Sequence, residues 1–439
     1  MALSATQLDL RDADVSLVMG RSSTVARPAE PEDAAPAGGT TSRSWLWPML
    51  AIIAVVYLAT ATWSQPYNVD AFTNAIQARS FAAGDGVILP EYEEYTGQPY
   101  RSRLLWVVDS PDGPTSQYPP GVALWGSLFY LADSSQSVEA IPANLGEGPT
   151  EIELAAPSVA PATVAGVASV VIAMLFLGLI LSELLSPTRA RAALAAAALG
   201  TGAWSVASDS LWQHGPAMML VLGGLYAASR DRFALGGLAF AAAVLVRPHT
   251  ALIAAGVGLT TAIKRREVRP ALAMGSTAAA GLAALVIYNR VVWGELSVAG
   301  GYSDAFTDRL TSFTPLTLLD RFVGFFIDLE VGILVFSPIL VISLLGLPKA
   351  VRRAPDWMLG GALGGLAYLA VQFQANRLSG GEGFFGYRYP LEALAASAPL
   401  LVIAAYAWIG DDERRQRMAI AFAVLSIAMH AFGSVATEG

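Results

Sequence analysis

The chain has 439 residues, 54% of them hydrophobic and only 14% charged, with a positive mean hydropathy. Soluble domains carry roughly 25% charged residues, so this composition reads as an integral membrane protein. Cysteine is absent, which excludes a disulfide framework and any thiolate nucleophile or ligand. A formal charge of −8 offers nothing to nucleic acid.

Residues 1–44 are polar, rich in Ala, Pro, Ser, Thr and acids, and lack the early apolar core of a signal peptide. They read as a disordered cytoplasmic tail. From residue 45 to 439 the chain reads as one transmembrane domain. Runs of about 17–25 apolar residues are needed to cross a bilayer. By that rule spans fall near 45–64, 159–184, 191–208, 212–229, 233–247, 249–263, 270–290, 330–347, 357–374, 389–409 and 417–433. The fold class expected is therefore all-α and polytopic, with about eleven transmembrane helices. The apolar segment 119–132 is too short to cross and follows Pro119-Pro120, which suits a re-entrant or interfacial piece. Most Lys and Arg fall in the loops that are cytoplasmic if the N-terminus is inside. The long loops 65–158 and 291–329, and two short ones around 208–212 and 375–389, then face outward from the cytoplasmic membrane.

The first outer loop opens with the stretch 64–84, which after its first residues reads as a short amphipathic helix. Asn68 is its N-cap, Gly84 its stop, and Phe72, Ala75, Ile76, Ala82 and Ala83 form its apolar face. With Asn74, Gln77 and Arg79 opposite, it would lie along the membrane surface. Asp70 stands in its first turn, where the helix dipole favours the carboxylate. There it either only starts the helix or accepts a proton from a hydroxyl.

Four more clusters share that face. Gln117-Tyr118-Pro-Pro-Gly121 gives either a rigid turn or a substrate contact at Tyr118. Asp209-Ser-Leu-Trp212-Gln-His214 gathers a carboxylate, an indole and an imidazole at a span boundary, costly there unless used or paired. Arg247-Pro248-His249 puts a permanent cation where no aqueous loop exists, either snorkelling to headgroups or awaiting a phosphate. Last comes a glycine-rich loop with Glu382, Gly386, Tyr387, Arg388 and Tyr389, which lets a ligand approach closely. Tyr288-Asn289 with Gly294 adds a polar rim.

An outward-facing transferase finds little nucleotide-sugar, and no P-loop or Rossmann fingerprint is visible on the inner side. A lipid-linked donor fits better. Transfer from a polyprenyl-phosphate sugar needs a base for the acceptor hydroxyl and cations for the leaving phosphate. One outer carboxylate with several outer cations is that inventory.

These residues resemble the GT-C superfamily of membrane glycosyltransferases, in its bacterial protein O-mannosyltransferase and aminoarabinose-transferase branch. The likeness rests on an Asp soon after the first span, then Tyr118-Pro-Pro-Gly121, Trp212-Gln-His214, Arg247-Pro248, Tyr288-Asn289, Phe336-Ser-Pro338 and Gly386-Tyr-Arg388-Tyr, in that order. It covers the chain from Trp45 onward. It implies inverting transfer from a polyprenyl-phosphate sugar, with Asp70 catalytic and Asp209 matching a second-loop acidic residue. Tyr118, His214, Arg247, Asn289, Glu382 and Arg388 are the expected substrate contacts. Asp70 is followed by Ala71, so the paired acidic residues of the mannosyltransferases are missing. No large soluble domain follows the last span, which disfavours an oligosaccharyltransferase-like reading. The acceptor, whether glycan, lipid or protein, is not legible. No cofactor is implied, and the outer acids show no ligand spacing, so a divalent cation is left open. The competing readings are a transporter or flippase for an anionic or lipid-linked substrate, and a ligase or polymerase of lipid-linked glycans. The first expects internal repeats and mid-membrane charges, and the second a late outer loop.

Overall fold

The computed structural model describes residues 43–64, 68–96, 104–144, 149–302, 304–312, 314–376, 378 and 383–436. The tail expected over 1–44 falls almost wholly outside them, as does Glu382. The chain enters through α1 (Leu46–Thr60), turns into α2 (Val69–Ala83), and then makes an antiparallel hairpin of β1 (Val107–Ser110) and β2 (Gly113–Ser116). The short α3 (Gly121–Tyr130) follows the tandem proline. A second hairpin, β3 (Gln136–Asn144) with β4 (Pro149–Pro157), leads into the 26-residue α4 (Val159–Leu184). Then come α5 (Pro187–Leu199), α6 (His214–Ser229), α7 (Phe233–Val246), α8 (Ala251–Arg265) and α9 (Arg269–Trp293). After these stand α10 (Asp304–Thr311), α11 (Pro315–Ile327), the single turn α12 (Ile333–Phe336) and α13 (Ile339–Val351). Last are α14 (Asp356–Ala375), α15 (Leu391–Ile409) and α16 (Glu413–Ala436).

The protein is a multi-pass membrane protein. Among the described residues five helices are long and apolar enough to cross a bilayer: Arg43–Thr60, α4, α9, α15 and α16. Of the other apolar runs, 357–374 folds as the 20-residue α14, and the rest fold as shorter pieces. The run 191–208 divides into α5 and a π-helical turn at Ala203–Ala207, and Ser337-Pro338 splits 330–347 into α12 and α13. Proline lacks the amide that would continue the ladder.

Two expectations need correction. The chain is not purely helical, because the first outer loop carries both hairpins. The first hairpin turns at Pro111-Asp112, with Gly113 at φ +130°, and the second turns Leu154 and Ala156 inward. Secondly, α2 has the predicted caps but not a solvent-facing polar side. Asn68 accepts the Asp70 amide at 2.8 Å and Gly84 is left-handed. Its polar side is buried: Asn74 Nδ2 donates to the Leu211 carbonyl and Gln77 Nε2 to the Gly86 carbonyl, each at 3.0 Å. Loop carbonyls need donors once buried, and α2 supplies them. The helix with an outward apolar stripe is α11, where Leu316, Leu319, Val323 and Ile327 are exposed and Phe325 is buried.

Helices α8 and α14 meet at backbone contact. A Cβ on Gly360 would lie 2.6 Å from the Gly256 carbonyl oxygen, and one on Gly364 2.6 Å from the Ile253 Cα. Neither neighbour is a side chain that can swing aside. Gly360→Ala is therefore expected to destabilise by about 1–3 kcal/mol through overpacking, read as a lowered Tm in detergent.

Candidate active site

Asp70 is the centre of the first cluster. Its Oδ1 accepts the Trp106 indole N–H at 2.6 Å and the Tyr118 hydroxyl at 2.8 Å, and its Oδ2 accepts Arg388 Nη1. The first hairpin explains the two neutral donors. Trp106 immediately precedes β1, Tyr118 follows β2 by one residue, and the antiparallel register brings both ends over the start of α2. Arg388 comes from the loop before α15. Its guanidinium is boxed by the rings of Tyr389, Phe384 and Trp212, with centroids 5.0, 5.1 and 5.3 Å away. Burial works against a charged Asp70, yet the Arg388 charge and the hydrogen bonds from Tyr118, Arg388 and Trp106 outweigh it and hold the carboxyl below the ordinary carboxylate range. Burial, then the Asp70 charge, push the Tyr118 phenol well up, so it stays a donor. Three of the carboxylate's roughly four acceptor positions are occupied, and its side chain keeps 14% exposure. One position is left for an incoming hydroxyl.

The second cluster is deeper. Glu392, fully buried at the start of α15, accepts Arg247 Nη1 at 3.1 Å and lies 2.9 Å from His214 Nδ1. Arg247 also donates to the Tyr368 hydroxyl at 2.9 Å and to Gln213 Oε1 at 3.2 Å. The α7 helix ends at Arg247-Pro248, which turns the guanidinium inward. His249, two residues on, stacks on Tyr368 with centroids 4.4 Å apart. Trp212 joins the clusters, lying against Arg388 on one side and 6.3 Å from the His214 ring on the other. Tyr302 also lies between them, within electrostatic reach of Arg247 and Asp70. Trp212 Nε1 and Arg388 Nε are buried polar atoms with no hydrogen-bond partner among the described residues.

The structure thus gathers Asp70, Tyr118, His214, Arg247 and Arg388 into one region. No hydrogen bond or ion pair among the described residues joins Asn289 to them. It is buried, donates to the Ser297 carbonyl at 2.7 Å, and occupies the place where a Cβ on Gly300 would fall, so it shapes the loop that carries Tyr302. Asp209 Oδ1 accepts the amide and hydroxyl of Thr62, at 3.1 and 2.9 Å, tying the exit of α1 to the turn before α6. The inventory of one carboxylate is corrected by Glu392, and Arg247 answers it. Glu392 is legible in sequence as a lone acid at the edge of an apolar run, a placement that normally marks use or pairing. Trp106, Tyr302 and Tyr368 carry no such mark. Among the described residues no three His, Asp or Glu side chains gather as a metal-ligand set.

A third network stands behind the Arg388 loop. His430 of α16 lies between Ser205 Oγ (2.8 Å) and Ser337 Oγ (2.9 Å), and Ser337 Oγ is 2.6 Å from the Tyr387 hydroxyl. That hydroxyl also accepts the Gly202 amide at 3.2 Å. The π-turn, the Ser337-Pro338 break, α16 and the residue preceding Arg388 are thereby pinned together. His430→Phe leaves two buried hydroxyls short of a partner. It is expected to cost about 2–3 kcal/mol, seen as a lowered Tm, with His430→Gln recovering part of it.

No family model matches the chain, and no curated protein matches its sequence. Solved structures do share its architecture. The oligosaccharyltransferase AglB from Archaeoglobus fulgidus, solved with an inhibitory peptide and a dolichol-phosphate, superposes with a TM-score of 0.51 at 12% identity, over 91% of this chain and 56% of that one. The same organism's oligosaccharyltransferase with Zn and sulfate gives 0.52 at 14% identity, over 88% and 53%. ArnT from Cupriavidus metallidurans bound to undecaprenyl phosphate gives 0.52 at 14% identity, over 90% and 76%. This chain has the GT-C fold. It spans little more than half the length of the archaeal proteins and about three quarters of that ArnT. Within the GT-C fold, the Asp70 and Glu392 clusters lie where α2, the first hairpin and the starts of α6 and α15 converge.

Proposed function

We propose that this protein transfers a sugar, with inversion, from a polyprenyl-phosphate-linked donor to an acceptor hydroxyl on the outer face of the cytoplasmic membrane, its N-terminus being inside. The observation that carries the reading is Asp70: a carboxylate held ionised by Arg388, with one acceptor position open. That position takes the acceptor hydroxyl and, as the glycosidic carbon–phosphate oxygen bond breaks, its proton. The bond from the acceptor oxygen forms on the face opposite the departing phosphate, which inverts the carbon. Arg388 and Trp212 Nε1 offer positive charge and a hydrogen bond to phosphate oxygens, which leave without an acid. The GT-C fold supports the same reading, since two of the similar solved structures were captured with dolichol-phosphate and undecaprenyl phosphate. The acceptor is a glycan, a lipid or a protein.

The test is consumption of lipid-linked sugar by purified protein in proteoliposomes, across a panel of polyprenyl-phosphate sugars with candidate acceptors. One donor should be consumed and free polyprenyl phosphate should appear. No consumption, with transbilayer movement of the donor instead, replaces the reading with a transporter.

The pH profile adds a sharper check. Because Arg388 lowers the Asp70 pKa, the stability from this pair is present above the ordinary carboxylate value of about 3.9 and is lost as pH falls through the lowered one. Activity should have its acid limb below that ordinary value. In Arg388→Gln, burial acts with far less opposition, and the limb should move to higher pH. An unmoved limb separates Asp70 from the titration.

A further inference from the structure

A cavity of about 470 Å³ runs between α4, α5, α6, α13, α15 and α16. Its length is apolar, with Leu177, Ala196, Leu222, Ala398, Val402 and Ala423 among its walls. Thr201 and Ser343 are the polar exceptions along it, and its other polar residues, Thr188, Arg189, Tyr406 and Gln416, collect at one end. That end is remote from Asp70, because Glu392 begins the 19-residue α15 and Tyr406 stands near its finish, about 20 Å along the axis at 1.5 Å per residue.

We propose that this cavity binds one acyl chain of a membrane phospholipid, with the phosphate seated on Arg189. Protein interiors are close-packed, so an apolar space of this size calls for an occupant. In a bilayer the filler at hand is hydrocarbon. Along α15 the lining runs from Tyr406 to Leu391, about 22 Å at 1.5 Å per residue, which lies within a bilayer's roughly 30 Å hydrocarbon core. The occupant's charge follows from Arg189. Its guanidinium is held over the Tyr406 ring at 5.5 Å, and its one ionic contact among the described residues is 3.9 Å to a fully exposed Asp411. The Tyr406 hydroxyl donates to the Arg189 carbonyl at 2.9 Å, fixing the backbone beneath it. The planar fork at the mouth can thus take two phosphate oxygens. An apolar bore with a single cation at the rim remote from Asp70 describes a phospholipid rather than the sugar donor, whose phosphate belongs at the opposite end near Arg388. The inference stands apart from the transferase reading.

The protein would be placed in nanodiscs of phosphatidylglycerol with a diazirine in one acyl chain, illuminated, and mapped by peptide mass spectrometry. Native mass spectrometry would count the lipid retained. One lipid should be retained, with labels concentrated on residues 192–201 and 394–402. Ala196→Phe/Ala398→Phe, which fills the cavity, should cut labelling there at least tenfold without lowering Tm. Arg189→Ala should weaken retention of phosphatidylglycerol and of phosphatidylcholine, which share the phosphate, about tenfold while leaving diacylglycerol nearly unchanged. Labels spread evenly over the lipid-facing helices would overturn the proposal. So would unchanged labelling in a folded filled variant, or release of polyprenyl phosphate as the retained lipid. Should the filled variant not fold, the wild-type label map and the Arg189→Ala comparison still decide.

Discussion

Asp70→Asn is expected to lower the proposed sugar transfer by about 10²–10⁴-fold, the range that a positioned base contributes, while the protein still inserts and folds. The asparagine oxygen can keep one side of the site, accepting from Trp106 and Tyr118 as Oδ1 does now. Its amide nitrogen then faces the Arg388 guanidinium, donor against donor, and a buried cation loses its counter-charge. Breaking a buried pair costs about 3–5 kcal/mol, softened here because the faces of Trp212, Phe384 and Tyr389 remain around the cation. The loss of activity must therefore be separated from a loss of fold. Transfer is measured well below the variant's own Tm, and Asp70→Asn/Arg388→Gln is made alongside. The double variant should recover much of the Tm and none of the turnover. Turnover retained in folded Asp70→Asn would remove Asp70 from the role of base.

Arg247→Met should lose about 3–5 kcal/mol of stability, the largest structural effect expected from a single substitution in the site. Methionine fills much of the volume but leaves the Glu392 carboxylate, at 0% exposure, with His214 as its remaining close cation-forming neighbour. Gln213 and Tyr368 lose their donor at the same stroke. Replacing both members of the pair removes the uncompensated charge, so Arg247→Met/Glu392→Gln should regain at least half of the Tm lost. A single variant within about 1 kcal/mol of wild type would mean that the pair is not what holds α7 to α15. In the transfer assay the double variant also reports on substrate, since Arg247 reads in sequence as a phosphate contact. A raised donor KM in the rescued double variant is the outcome that keeps that reading.

Much of this arrangement is legible in sequence, for identifiable reasons. Apolar runs mark helices because a bilayer-length run has few other uses, and Asp70 stands out as the first carboxylate after such a run, with a capping asparagine two residues before it. Arg388 is marked by glycines and aromatics crowded around one cation. Glu392 is readable only as a lone acid at the edge of an apolar run, where hydropathy averaging hides it. The hairpins hide in a loop whose charges dominate its reading, and with them hides the role of Trp106. The face of α2 misleads for a more general reason. Amphipathic spacing tells that two environments exist, not which they are, and here the polar side meets buried carbonyls rather than water. Asp209 shows the same limit, since a carboxylate at a span boundary can be a tie, as with Thr62, as readily as a site.

The salt bridge at the centre of the site joins residues 318 positions apart, and the Asn68 cap touches the Gly383 carbonyl across 315. A ribosome adding about 5–20 residues per second needs roughly 15–60 s to travel that distance. For all that time Asp70, its helix and its hairpin are already outside the exit tunnel, and the cation that balances them does not exist. The nascent chain must hold a wet, half-built pocket open while most of the bundle is threaded past it. The site is among the last parts of the molecule to close, and a chain arrested just after Arg388 still lacks α15 and α16, two of the five long apolar helices, with nothing beyond that residue to hold its loop in place.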